Sequence, residues 1–188
     1  YDSAGTHGVD DNGSGVSVAL ENALRMNNIP TYYTIKYVFF GSEETGMYGS
    51  REYVESLSEK ERDNIVLMIN IDSVLAGDYL YLYGGKVHDN GTVDNTKAVL
   101  KAYGIAQELG LSIQLPPDGN NDYPYPTGQK RSDHAPFDSI NIPYIYFEAN
   151  NWESGTPIET EKNGLIMHTD MDDLNFIEKE YGGRAQNT

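Results

Sequence analysis

The sequence predicts an α/β fold: a three-layer αβα sandwich around a mixed, largely parallel sheet. Three observations predict it. Runs of β-branched and aromatic residues alternate with stretches of helical periodicity. The runs "NIVLMINID" (64–72) and "IPYIYFEA" (142–149) are apolar almost throughout, as strands covered on both faces are. Acidic residues or a histidine follow the ends of these runs, where open α/β sheets bind ligands.

Taken in order, "SGVSVALENALRM" (14–26) reads as a helix. Val16, Ala19, Leu20, Ala23 and Leu24 share one face, and Ser14 or Asn12 can cap its start. "TIKYVFFG" (34–41) has the composition of a strand ending in glycine. "GSREYVESL" (49–57) is helical, and 64–72 is the proposed central strand. "YLYLYGG" (79–85) is a further strand, followed at "KVHDNG" by an exposed turn in which His88 has no assigned role. "NTKAVLKAYGIAQELG" (95–110) is an amphipathic helix closed by glycine. "LSIQL" (111–115) is a short strand. The polar loop 116–129, with its four prolines, has the length of a lid or binding segment; Tyr123, Pro124, Tyr125 and Pro126 either border a pocket or form a rigid surface loop. After strand 142–149, a loop carrying Trp152 leads to "MHTDMDD", and the end is helical.

The length suits a single domain, residues 1–188. Acidic residues outnumber basic ones 29 to 13, and the resulting charge of -16 repels nucleic acid and anionic membrane surfaces. Cysteine is absent, which excludes disulfides, thiolate metal sites and cysteine nucleophiles. No apolar run approaches the roughly 20 residues that span a bilayer. The composition leaves the oligomeric state open.

Asp10, Asp11, Glu43, Glu44, Asp72 and His168 all fall at the proposed strand ends or in the loops beside them. Carboxylates gathered together resist ionising, and a divalent cation removes that penalty. Mixed carboxylate and imidazole donors suit zinc, with manganese or cobalt as alternatives. Adjacent residues leaving a strand point in different directions. One of Glu43 and Glu44 can therefore bind metal while the other serves as a general base. Taken singly, each acid reads more readily as a solvated loop residue than as a ligand; their common location is what selects them.

The motifs "DSAGTHGVDDNGSG", "FFGSEETGMYGS", "INID", "RSDHAPF" and "HTDMDD" together resemble the zinc aminopeptidases of peptidase family M28, the aminopeptidase Y and bacterial leucyl aminopeptidase group. The resemblance runs from Asp2 to about Asp173. It implies a phosphorylase/hydrolase-like sandwich and a co-catalytic dizinc site that removes N-terminal amino acids from peptides with a free N-terminus. In that scheme Asp11 bridges two zinc ions, Glu44 and His168 complete one site, and Asp72 serves the other. Glu43 is the base that takes a proton from the attacking water and passes it to the leaving amine. Asp2 orients a histidine ligand. Arg131, Ser132, Asp133 and His134 line or support the substrate side, with His134 a supporting group rather than a ligand.

The family's opening motif is His-x-Asp, and here Tyr1 and Asp2 occupy its last two places. The expectation is a catalytic domain incomplete at its N-terminus, with the histidine immediately before Tyr1. In this chain the Asp11, Glu44 and His168 half-site would hold zinc while the Asp72 half-site is depleted and activity is poor. The alternative is that His7 substitutes for the absent ligand. Two other functions remain open: a catalytically silent relative used for binding, and a glutaminyl-cyclase-like enzyme on the same fold. The resemblance also suggests an extracellular or cell-envelope location in a bacterium.

Overall fold

Residue alternation along the longest strand organises the molecule. The computed structural model of the chain describes residues 3–88, 92–117 and 130–185. Strand β6 (Tyr144–Asn150) is flanked by β1 (Met68–Ile71) and β2 (Tyr79–Tyr83), and β5 (Ile113–Gln114) pairs with β2, giving the order β1-β6-β2-β5. The β1–β6 and β2–β5 pairs are parallel and the β2–β6 pair antiparallel, so the sheet is mixed, as expected.

Successive side chains of a strand point to opposite faces. One face therefore presents Tyr144 and Tyr146 with Tyr81 and Tyr83 of β2, and the other presents Ile145 with Leu82. The tyrosine face is covered by Val54 of helix α2 (Tyr48–Ser56), by Phe137 of α5 (Ala135–Ser139) and by Trp152. The aliphatic face is covered by Val99 of α4 (Lys97–Glu108). Helices thus lie on both faces, as the two apolar runs required. The Trp152 indole N–H donates to the Tyr83 hydroxyl at 2.6 Å, which satisfies both buried polar tips. A third cluster packs Ile177 and Tyr181 of α6 (Leu174–Ala185) on Ala76 and Ile166.

Other elements differ from the sequence expectation for local reasons. Helix α1 (Gly13–Met26) forms as expected, but Asn12 makes no side-chain cap. Its expected apolar face is open, with Leu20 at 50% and Leu24 at 74% exposure. What anchors α1 is its first turn, where a Cβ on Gly15 would lie 2.2 Å from the Ile71 carbonyl oxygen. Only glycine permits that approach to the end of β1. Among the described residues, 34–41 pairs with no strand. A β-rich sequence becomes a strand only where a neighbour's backbone accepts its hydrogen bonds. Here Phe40 packs into the core while Ile35, Val38 and Phe39 stay exposed.

The central strand is shorter than its apolar run: α3 (Glu59–Asn64) takes its first residue, and residues 65–67 connect the helix to β1. A capping box starts that helix: Ser58 caps the Glu61 N–H, and Glu61 reaches back to the Ser58 N–H. Strands β3 (Lys86–Val87) and β4 (Val93–Asp94) pair antiparallel, and His88 Nε2 lies 2.8 Å from Asp94. Helix α4 ends as expected, on Gly110 at φ +70. Asp2 and the tyrosine–proline segment 123–126 lie outside the described residues.

Candidate metal centre

Strands β1 and β6 run parallel, so their C-terminal ends reach the same edge. Asp72 leaves β1 there, its N–H donating to the Phe147 carbonyl at 3.1 Å. Three loops meet it. The loop before α1 brings Asp11, whose peptide to Asn12 is cis. The loop before α2 brings Glu43 and Glu44. It turns through Ser42 and Met47, both with left-handed backbone, and the Glu43 carbonyl accepts the Gly46 and Met47 N–H groups. A Cβ on Gly49 would sit 2.5 Å from the Gly41 oxygen, so glycine lets the loop's two ends touch. The loop before α6 brings His168, held at φ +60, a conformation uncommon outside glycine.

These loops converge. His168 Nε2 lies 3.0 Å from Asp11 Oδ2 and 3.2 Å from Glu44 Oε2. The donor atoms of Asp11, Glu44 and His168 all fall within 4.8 Å of one another. Asp11, Asn12, Phe40, Glu43, Glu44, Asp72 and Asp133 line a cavity of about 20 Å³, room for a particle the size of a water or an ion.

The electrostatics are those of a site built around positive charge. Burial pushes the Asp11 carboxyl up to about 9, aided by the negative charges of Asp72, Glu44 and Asp172. Burial likewise pushes Asp72 up to about 7; the hydrogen bond from Ser132 opposes this, while Glu148, Asp133 and Asp10 add to it. Glu44 Oε1 is buried with no hydrogen-bond partner. Two carboxylates and an imidazole at this spacing, with an orphaned carboxylate oxygen among them, fit a zinc-type cation.

The surrounding residues fall into different places. Asp72 Oδ2 accepts the Ser132 hydroxyl at 2.7 Å, and Ser132 accepts Asn70 Nδ2 at 2.9 Å. Asp133 lines the cavity and accepts the Ser50 hydroxyl at 2.5 Å. His134 is fully buried, with Tyr144 and Tyr146 stacked on it at ring-centroid distances of 4.4 and 4.6 Å. Arg131 lies 5.6 Å from the Trp152 ring. Asp10 is buried and turns away from the cluster, towards the Leu75 and Ala76 N–H groups. His7 stands 3.8 Å from Asp173 with its side chain 76% exposed. It is not among the clustered donors of Asp11, Glu44 and His168. Sequence reasoning did not single out Asn70 or Asp172. The only signal for Asp172 was its place in the "HTDMDD" motif.

The fold and this cluster define an α/β protein with a candidate metal centre at the C-terminal edge of its sheet. The profile of peptidase family M28 matches residues 1–188, and the chain belongs to that family. It is 36% identical over 153 residues to the alkaline phosphatase isozyme conversion protein of Escherichia coli K12, covering 79% of this chain and 42% of that protein. It is 32% identical over 178 residues to aminopeptidase YwaD of Bacillus subtilis 168, covering 92% of this chain and 34% of the relative. The structure of BSAP, a zinc aminopeptidase from Bacillus subtilis, superposes with a TM-score of 0.74 at 29% identity, covering 98% of this chain and 41% of that one. The chain therefore spans less than half the length of these relatives.

Proposed function

We propose that the protein is a zinc-dependent aminopeptidase, releasing N-terminal residues from peptides. The observation that carries this reading is the meeting of Asp11, Glu44 and His168 within 4.8 Å, beside a cavity that Glu43 also lines. Asp11, Glu44 and His168 would hold one zinc ion. Asp72, steadied by Ser132, would hold a second, with Asp11 shared between them. Bound zinc supplies a Lewis acid and lowers the pKa of an attacking water towards neutrality.

The protein's own groups do the rest. Glu43 stands at the cavity wall next to Glu44 in sequence and outside the donor cluster, as a base requires. It takes the proton from the attacking water and returns it to the leaving amine. Asp133, which lines the cavity, and Arg131 would serve the substrate side. Among the described residues no helix is long and apolar enough to cross a membrane. We place the enzyme outside the cytoplasm or in the cell envelope on the strength of its likeness, 44% identical over 66 residues, to a probable lipoprotein aminopeptidase of Mycobacterium tuberculosis.

Release of nitroaniline from aminoacyl-nitroanilides by the full-length protein tests the reading. Turnover should stop with a chelator and return with zinc. Turnover indifferent to the chelator would reject a metal-dependent mechanism. Metal-dependent cyclisation of N-terminal glutamine without peptide hydrolysis would reassign the reaction.

A further inference from the structure

Two buried carboxylates outside the proposed ligand set join the loops that build the centre. Asp172 is wholly buried and lies in the segment that carries His168, its own N–H bonded to the Thr169 carbonyl. Its Oδ1 accepts the Asp10 N–H at 2.6 Å and its Oδ2 accepts the Asp11 N–H at 3.1 Å. Asp10 passes the connection on. Its Oδ1 accepts the Leu75 N–H at 2.9 Å and its Oδ2 the Ala76 N–H at 3.0 Å, just beyond Asp72. Ser14 reinforces this joint, donating to the Asp10 carbonyl at 2.8 Å and accepting the Val74 N–H at 2.9 Å.

We propose that Asp172 and Asp10 are positioning residues, a two-carboxylate relay that sets the spacing between His168, Asp11 and Asp72. The inference rests on reading the cluster as a metal centre. Each carboxylate uses both oxygens on neighbouring backbone N–H groups, and charge-assisted bonds of this kind are short and directional. Gripping the backbone at Asp11 fixes its Cα while leaving the side chain turned to the cleft. Packing three loops together could be done by apolar side chains, without the cost of burying two carboxylates. What apolar contacts lack is direction, and ligand spacing demands it.

An asparagine at position 172 would set an amide NH2 against one of the two N–H donors. Asp172→Asn in the full chain should therefore weaken Zn²⁺ binding about tenfold or more, measured by chelator competition. It should also alter the visible spectrum of the Co²⁺-substituted protein. Ile177→Ala, in the α6 cluster, is the control: it should lower the Tm while leaving both metal readouts unchanged. Wild-type zinc affinity and an unaltered cobalt spectrum in Asp172→Asn would overturn the relay, as would an equal loss of affinity in Ile177→Ala. Should Asp172→Asn fail to fold, Asp10→Asn makes the same test, with weakened zinc binding expected and wild-type affinity overturning the proposal. A wild-type protein that binds no zinc would reject the metal-centre reading itself. Tight binding in the wild type and in both asparagine variants would reject the relay alone.

Discussion

His168 Nε2 lies 3.0 Å from Asp11 Oδ2, so the last loop before the C-terminal helix closes on the first loop of the described chain. A ring nitrogen and a carboxylate at this distance, with Glu44 beside them, form a cluster whose chemistry depends on where positive charge is supplied.

Asp11→Asn should stabilise the metal-free protein and abolish its response to zinc. The Asp11 carboxyl is buried beside Asp72, Glu44 and Asp172, and its charge is unfavourable until a cation arrives. A neutral amide there should raise metal-free stability at pH 8, because the unfolded chain ionises this carboxyl freely and the buried site resists it. Thermal melts with chelator and with zinc check this. A variant less stable without metal, or one that keeps the zinc-induced rise in Tm, contradicts it.

Glu43→Gln should leave zinc content unchanged and reduce kcat by about 10²–10⁴-fold, the usual contribution of a positioned general base. Metal analysis and steady-state kinetics on the same preparation are the measurement. Activity within a few-fold of wild type would remove Glu43 from the mechanism.

Ser132→Ala deletes the hydroxyl that donates to Asp72 and accepts from Asn70. Asn70 loses a buried partner, so a stability loss of about 1–2 kcal/mol is expected. Zinc affinity at the Asp72 side should fall with it. Substituting cysteine for Ser132 should restore less than threonine does, because sulfur is a weak donor. Unchanged stoichiometry and affinity in the alanine variant would show that Asp72 holds its orientation without Ser132.

Glu159 gives a pH signature away from the centre. It is buried, and its Oε2 accepts the Ile166 N–H at 2.6 Å. Burial pushes its carboxyl from 4.5 up to about 7, against the pull of that hydrogen bond. Between these values the folded state binds the proton more tightly than the unfolded chain. The stability linked to Glu159 is thus complete below about pH 4.5 and is lost as pH rises through 7. Relative to wild type, Glu159→Gln should gain up to about 2–3 kcal/mol between pH 5 and pH 8. Denaturant melts at the two values decide it, and an equal offset at both would refute the assignment.

Much of the fold was legible because periodicity and burial are local signals. The apolar runs became β1 and β6, the amphipathic stretch became α4, and helices cover both faces of the sheet. The run 34–41 shows the limit. Its residues favour extension, yet pairing depends on a partner backbone, which no local pattern encodes. Leu20 and Leu24 make the same point for α1: spacing defines an apolar face, but only tertiary structure decides whether anything covers it.

The candidate site divides along the same line. By itself, the sequence determined which residue types stand at the strand ends: Asp11, the Glu43 and Glu44 pair, Asp72 and His168. Their chemistry and order along the chain were enough to suggest a cation. Tertiary structure decided which of them meet. It drew His168 onto Asp11 and Glu44, turned Asp10 away onto the Leu75 and Ala76 amides, and left His7 outside beside Asp173. The reason is geometric. Donor type is a property of one residue, whereas a distance of 3 Å between loops remote in sequence exists only after the sheet and the buried carboxylates have set where each backbone lies.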